Sequence, residues 1–160
     1  MSFKTADLCD DNLDKKIQVL PPIFKNYGGK KKFKGQVITI KLDKSNFLLL
    51  ETLRDQQGEG KIIVVDNRDE FYGLVGDKLM TFAANNNWTA IIVNGYVRDT
   101  DETKKIDVGL FAKGTCPLRN FDKTEAYRGL MLDFSGVVIK EGDWIYADED
   151  GLIISKEKLD

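Results

Sequence analysis

Two short, uninterrupted apolar runs, Ile62-Ile63-Val64-Val65 and Ala90-Ile91-Ile92-Val93, constrain this chain more than any other feature. A strand with one wet face alternates apolar and polar residues, so runs without alternation belong in a sheet covered on both sides. Between them, Leu79, Met80, Phe82 and Ala83 recur at near-helical spacing from a start near Asp77. Asn85-Asn86-Asn87 then offers residues that tolerate the left-handed conformation at a helix exit. Strand, helix and strand with short connections make a βαβ unit, whose strands run parallel and whose crossover is right-handed. The fold class read from this pattern is α/β.

The flanking segments extend the pattern. Leu8, Leu13, Ile17 and Leu20 recur at spacings of three to five, so residues 1–20 are expected to be helical until Pro21-Pro22 ends the element. Gly35 to Leu42 alternates as a half-buried strand, and a short helix is expected from Asn46, with Leu48, Leu49, Leu50 and Leu53 on its buried side. After Ala90–Val93 the apolar segments are Val108–Ala112, Gly136–Ile139, Trp144–Ala147 and Leu152–Ile154, separated by Gly and Asp turns, so the second half is mainly sheet. At 160 residues, with no repeat and no linker, the chain is read as a single domain, residues 1–160, that buries roughly 70% of its unfolded surface.

Composition excludes several functions. No apolar run approaches the ~20 residues needed to span a bilayer, and the charged N-terminus has no continuous apolar core of a secretory signal, so a cytoplasmic protein with no membrane partner is expected. Cys9 and Cys116 lie far apart without a CxxC pair, which argues against a disulfide or a thiolate metal site, and the acidic surroundings of Cys9 should raise its pKa. The net charge of −2 creates no general field for nucleic acid. Lys30-Lys31-Lys32 with Lys34 is read as a solvated loop, and Trp88, Trp144 and Tyr146 as packing residues.

The chain contains no histidine, so its chemistry must come from carboxylates, lysines, arginines, backbone amides and oxygen-bound metal. Asp77 stands at the expected helix start, and after twenty residues Arg98-Asp99 follows the second strand. Loops that leave parallel strands share the edge on which open α/β sheets bind ligands. Gly76 would let a ligand approach the backbone, and the amides of Lys78 and Leu79 at the helix start would hold a carboxylate. Hard oxygen donors beside an arginine point to Mg²⁺ or Mn²⁺. The same residues also fit a solvated Arg-Asp turn and an aspartate that simply caps its helix.

Seven segments carry a family resemblance over nearly the whole chain: Asp7-Leu8-Cys9-Asp10, Tyr27-Gly28-Gly29, Gly35 to Thr39, Val64-Val65-Asp66, Asn94 to Arg98, Gly142 to Asp148, and Asp150-Gly151-Leu152-Ile153. In this order they resemble the RraA-like family, which includes class II pyruvate aldolases acting on 4-hydroxy-4-methyl-2-oxoglutarate and bacterial regulators of ribonuclease activity. The resemblance implies an αββα sandwich of the swivelling β/β/α type and a ring-shaped homotrimer with sites between subunits. It also implies that Asp-x20-Arg-Asp marks the members with metal-dependent chemistry, and this chain keeps all three residues. In the roles so implied, Asp99 ligates a divalent cation, Asp77 orients a water on that cation, and Arg98 donates to a 2-oxo oxygen as it becomes an enolate. Oxaloacetate decarboxylation through the same enolate is the implied side activity. The competing implication is a protein that docks on and inhibits an RNA-degrading endonuclease, since the opening Asp-Leu-Cys-Asp and the short length resemble the regulators.

Overall fold

The computed structural model describes residues 2–160. In chain order its elements are α1 (Thr5–Asp11), β1 (Gln18–Val19), β2 (Lys25–Asn26), β3 (Phe33–Lys41), α2 (Phe47–Asp55), β4 (Ile62–Asp66), β5 (Gly73–Val75), α3 (Asp77–Asn85), β6 (Ala90–Asn94), β7 (Tyr96–Val97), α4 (Thr100–Thr103), β8 (Gly109–Ala112), β9 (Gly114–Thr115), β10 (Tyr127–Arg128), β11 (Leu132–Phe134), β12 (Val137–Ile139), β13 (Trp144–Asp148) and β14 (Gly151–Ser155). The two apolar runs are the centre of the main sheet, ordered β1-β14-β13-β3-β4-β6-β8-β2, with β10 also on β3. β3, β4, β6 and β8 are mutually parallel, and Val64 stands opposite Ile92. Antiparallel strands flank them on both sides.

Side-chain alternation explains why the runs need no polar residues. Ile63, Val65, Ile91 and Val93 face a core shared with Leu49 and Leu53 of α2 and Leu79, Met80 and Ala83 of α3. Ile62, Val64, Ala90 and Ile92 face the opposite core, closed by Leu20, Phe24 and the β11–β12 hairpin residues Leu132, Phe134, Val137 and Ile139. A smaller cluster of Phe3, Leu8, Tyr146 and Ile153 seats α1 near the far edge of the sheet. The result is a mixed α/β fold on a curled sheet, in agreement with the expected class. Among the described residues, no helix is long and apolar enough to cross a membrane.

The N-terminal expectation needs correction. The helix covers only Thr5–Asp11, Leu13 is 87% exposed, and Gln18–Val19 is an edge strand on β14. Asp10 and Asp11 place negative charge at the helix's negative end, and the Asn12 amide donates to the Leu8 carbonyl at 2.8 Å, ending the helix with its own side chain. In α2, Leu49 and Leu53 are buried while Leu48 and Leu50 are only half-buried, because consecutive residues cannot share one helix face. The asparagine exit of α3 behaves as expected, with Asn87 at φ 60°.

A second sheet, absent from the sequence reading, consists of the parallel strands β5-β7-β9. Its strands follow β4, β6 and β8 of the main sheet in turn, and they move the candidate site off that sheet.

Candidate active site

The two halves of the aspartate-arginine-aspartate spacing meet at the carboxyl ends of β5 and β7. The Arg98 amide donates to the Val75 carbonyl at 2.9 Å, which brings the turn after β7 beside the turn after β5. The shared edge expected of a βαβ unit is therefore present, but its strands are β5 and β7 rather than β4 and β6.

Asp99 joins the halves. Its backbone is left-handed, with φ 56° and ψ 37°, a conformation that aspartate tolerates better than most residues. The chain there begins α4, yet the Asp99 carboxylate does not cap that helix; Oδ2 instead accepts the Asp77 amide at 3.2 Å. Asp77 is thus the first residue of α3 rather than its cap, and Asp99, 22 residues away, adds a second negative charge beside that of Asp77 at the helix's positive end. Gly76 is required by this approach. A Cβ there would lie 2.3 Å from Asp99 Oδ2 and 3.4 Å from Arg98 Cγ.

The first intrahelical bond of α3 runs from the Met80 amide to the Gly76 carbonyl at 3.1 Å, so the Lys78 and Leu79 amides precede the helical ladder and point out of its start. The side chains of these two residues do other work. Lys78 places its ammonium 6.0 Å from the Phe82 ring centroid, along the helix, and Leu79 is buried in the core. The Asp77 side chain is exposed. Arg98 is half-buried, its Nη1 donates to the Pro117 carbonyl at 3.3 Å, and it forms none of the ion pairs found among the described residues. Gly73 makes room for it, since a Cβ there would meet Arg98 Cδ at 3.0 Å and the Cys116 carbonyl at 2.3 Å.

These donors fit a hard divalent cation held largely by water. Asp99 spends Oδ2 on the Asp77 amide and faces solvent, and Mg²⁺ commonly takes one or two carboxylates while keeping several waters. Among the described residues, no group of three or more Cys, Asp or Glu side chains converges into a closed protein cage. A cleft of about 430 Å³ elsewhere, lined by Leu20, Phe24 and Asp148 among others, shares no residue with this group.

Sequence reasoning missed Arg119 and Asn46. Arg119 Nη2 donates to Asn46 Oδ1 at 3.1 Å, and Asn46 Nδ2 donates to the Leu74 carbonyl at 2.7 Å, tying both to β5. Arg119 lies in a loop with no periodic signal, and nothing in the sequence connects it to Asn46. The cysteines are free as expected. The Cys9 thiol is pushed up first by burial and then by Asp10 and Asp148. The lysine cluster is largely occupied: Lys31 bonds the Gly28 carbonyl, Lys32 lies over Phe3, and Lys34 pairs with Asp160.

Comparison with known proteins fixes the lineage. The profile described as "RraA-like: Aldolase/RraA" matches residues 5–154. The chain belongs to the RraA-like family. A relative in Alkalilimnicola ehrlichii, named "Putative 4-hydroxy-4-methyl-2-oxoglutarate aldolase", is 39% identical over 160 residues, covering 99% of this chain and 98% of its own. An Arabidopsis thaliana protein with the corresponding name, numbered 3, is also 39% identical, over 163 residues and 99% and 98% of the two chains. The solved structure of the RNA-processing inhibitor RraA from Thermus thermophilis superposes with a TM-score of 0.91 at 31% identity, covering 98% of this chain and 94% of that one. RraA-like membership and fold thus agree with the resemblance read from the seven segments.

Proposed function

We propose that this protein is a class II aldolase, a lyase that cleaves 4-hydroxy-4-methyl-2-oxoglutarate to pyruvate with Mg²⁺ or Mn²⁺ as cofactor. The observation that carries the reading is the convergence of Asp99, Arg98 and the open start of α3 at one point. The names of the relatives supply the reaction.

Asp99 would hold the cation together with water, and when bound the cation supplies Lewis-acid polarisation of the 2-oxo group. Arg98 donates to the 2-oxo oxygen as the C3–C4 bond breaks and negative charge moves onto it. A preorganised donor of this kind is worth about 3–4 kcal/mol in the transition state. The Lys78 and Leu79 amides, with the α3 dipole behind them, hold the adjacent carboxylate. Asp77 orients the water that takes the C4 hydroxyl proton and returns a proton to C3, so that two pyruvates leave. Oxaloacetate loses CO2 to give the same enolate, which makes decarboxylation the side activity. Phe71, Leu118 and Phe121, near Gly73 and Arg119 in the chain, are each more than half exposed, and a homotrimer that covers them with a neighbouring subunit completes the reading.

The test is pyruvate release from 4-hydroxy-4-methyl-2-oxoglutarate with Mg²⁺ or Mn²⁺ supplied. EDTA should abolish it and Asp99→Ala should reduce it at least a hundredfold; full activity in Asp99→Ala removes the metal role. The Thermus thermophilis likeness favours a second reading, in which the protein docks on an RNA-degrading endonuclease and inhibits it. Inhibition that survives Asp99→Ala, without pyruvate release by the wild type, would select that reading.

A further inference from the structure

Arg119 carries an unresolved charge beside the site. Its Nε is buried without a hydrogen-bond partner, and its one side-chain bond, to Asn46 Oδ1, goes to a neutral amide. Arg119 belongs to none of the ion pairs found among the described residues. Its guanidinium carbon lies 4.4 Å from the Phe121 ring centroid and 6.0 Å from that of Phe47, so aromatic faces hold it in place without neutralising it. Burial, and after it the positive charge of Arg98, presses the Arg119 pKa down. Arg98 itself bonds only the Pro117 carbonyl, two residues before Arg119.

Two like charges held together, one with a buried and unbonded donor, are destabilising unless an anion completes them. Arg119 is half-buried, yet its buried Nε has no partner, and a charge held in this way without a protein counter-ion is a candidate binding group. The support behind Arg119 is built rather than accidental. Asn46 is 4% exposed at the start of α2, and its amide is fixed on both sides, donating to Leu74 and accepting from Arg119. That arrangement sets the guanidinium plane and leaves Nη1, which is neither bonded nor among the buried orphan atoms, beside Nη2 on the outer edge, as a planar fork needs to receive a carboxylate.

We infer that Arg119, positioned by Asn46, binds the distal carboxylate of a dicarboxylic 2-oxo acid and so selects diacids over monoacids at this site. The inference rests on the aldolase reading and extends it. Arg98 and the start of α3 take the 2-oxo end, which pyruvate alone also presents. Arg119 takes the second carboxylate, which in 4-hydroxy-4-methyl-2-oxoglutarate stays on the departing fragment and does not react.

The experiment compares two reactions of the full-length protein with Mg²⁺: cleavage of 4-hydroxy-4-methyl-2-oxoglutarate, and deuterium exchange into the pyruvate methyl group, which needs only the 2-oxo end. In Arg119→Met, kcat/KM for cleavage should fall roughly ten- to a hundredfold more than the exchange rate, chiefly through KM. Arg119→Lys, which keeps the charge but not the fork, should fall between. Equal losses in the two reactions, or none, overturn the proposal, as does a loss that tracks dissociation of the oligomer. Should the wild type catalyse neither reaction, the aldolase reading fails by itself. Calorimetric titration with malonate, an unreactive dicarboxylate, then decides the anion site: binding at least tenfold weaker in Arg119→Met upholds it, and equal or absent binding in both proteins overturns it.

Discussion

The β4–β6 pair and the β5–β7 pair lie next to each other in sequence and both run parallel, yet they follow opposite rules. Every residue of β4 and β6 is buried, their register is unbroken over five residue pairs, and Asp66, the acid that ends β4, is bonded by the Asn94 amide and the Arg68 backbone. β5 and β7 are three and two residues long, their register shifts between Gly73 and Val75, and the turn leaving β7 holds an arginine without an ion-pair partner and a left-handed aspartate. The contrast is a division of labour. Along Ile62–Val65 and Ala90–Val93 the first pair is a slab in which local preference, patterning and packing agree, exceptions being confined to its ends at Asn94 Oδ1, Arg68 and Asp69, and the second breaks those rules where the reacting groups stand. Strain and unpaired charge persist there because the slab over-determines the backbone around them.

Two substitutions test that division most severely. Ile91→Ala empties a fully buried position of β6 and should cost about 2–5 kcal/mol in urea unfolding, while turnover per folded molecule changes little. Arg98→Ala should do the reverse. Turnover on the proposed substrate should drop by roughly 10²–10³, equivalent to about 3–4 kcal/mol in the barrier, with the melting temperature nearly unmoved because the side chain makes a single long hydrogen bond. If Ile91→Ala cuts turnover as deeply as Arg98→Ala, slab and site are one unit and the comparison breaks.

The slab was legible in the sequence and the smaller sheet was not, for reasons of length. Ile62–Val65 and Ala90–Val93 declare themselves because short, Ile- and Val-rich runs bounded by polar turns suit a strand covered on both faces, and α3 because its apolar spacing and asparagine exit agree. β7 and β9 have two residues each, too few for any periodicity, and β5 reads as a continuation of the loop after Asp66. The spacing between Asp77 and Arg98 placed both near one edge, but the Asp99 carboxylate capping a helix other than its own is a tertiary contact with no local signal. Arg119 and Asn46, 73 residues apart, are invisible for the same reason. The over-long N-terminal helix failed in the other direction, because apolar spacing through Leu13 and Ile17 outvoted the Asp10-Asp11-Asn12 stop.

The main sheet carries its own pH dependence, separate from the site. Tyr146 of β13 donates to Asp160 Oδ1 and accepts the Leu159 amide, both at 2.8 Å, and burial pushes its hydroxyl up to about 12 from an ordinary value of 10. Below pH 10 the hydroxyl is protonated in both folded and unfolded chains, so the full stability is present. As pH rises from 10 toward 12 the unfolded chain ionises first, and stability falls across that window. Tyr146→Phe should flatten this alkaline loss in pH-dependent urea melts, at a cost of about 1–2 kcal/mol near neutrality for the two hydrogen bonds. An unchanged alkaline limb in that variant would assign the loss to another group.

A small stability effect made of two larger opposing ones should come from the position on which the site turns. Asp99→Gly removes two opposing contributions at once. The left-handed backbone at φ 56° costs an L-residue about 1–2 kcal/mol, which glycine relieves, although glycine gives back part of this through its more flexible unfolded chain. Against that gain stands the lost bond from the Asp99 carboxylate to the Asp77 amide, a capping interaction of about 1 kcal/mol at the start of α3. The net change in unfolding free energy should therefore stay within about 1 kcal/mol of zero, while turnover on the proposed substrate falls at least as far as in Asp99→Ala. Asp99→Asn sharpens the point, because asparagine tolerates the same backbone and can still cap through its amide oxygen. If Asn retains stability but not turnover, the carboxylate charge and not the turn geometry is what the site requires; if Gly destabilises by several kcal/mol, the turn after β7 is part of the slab after all.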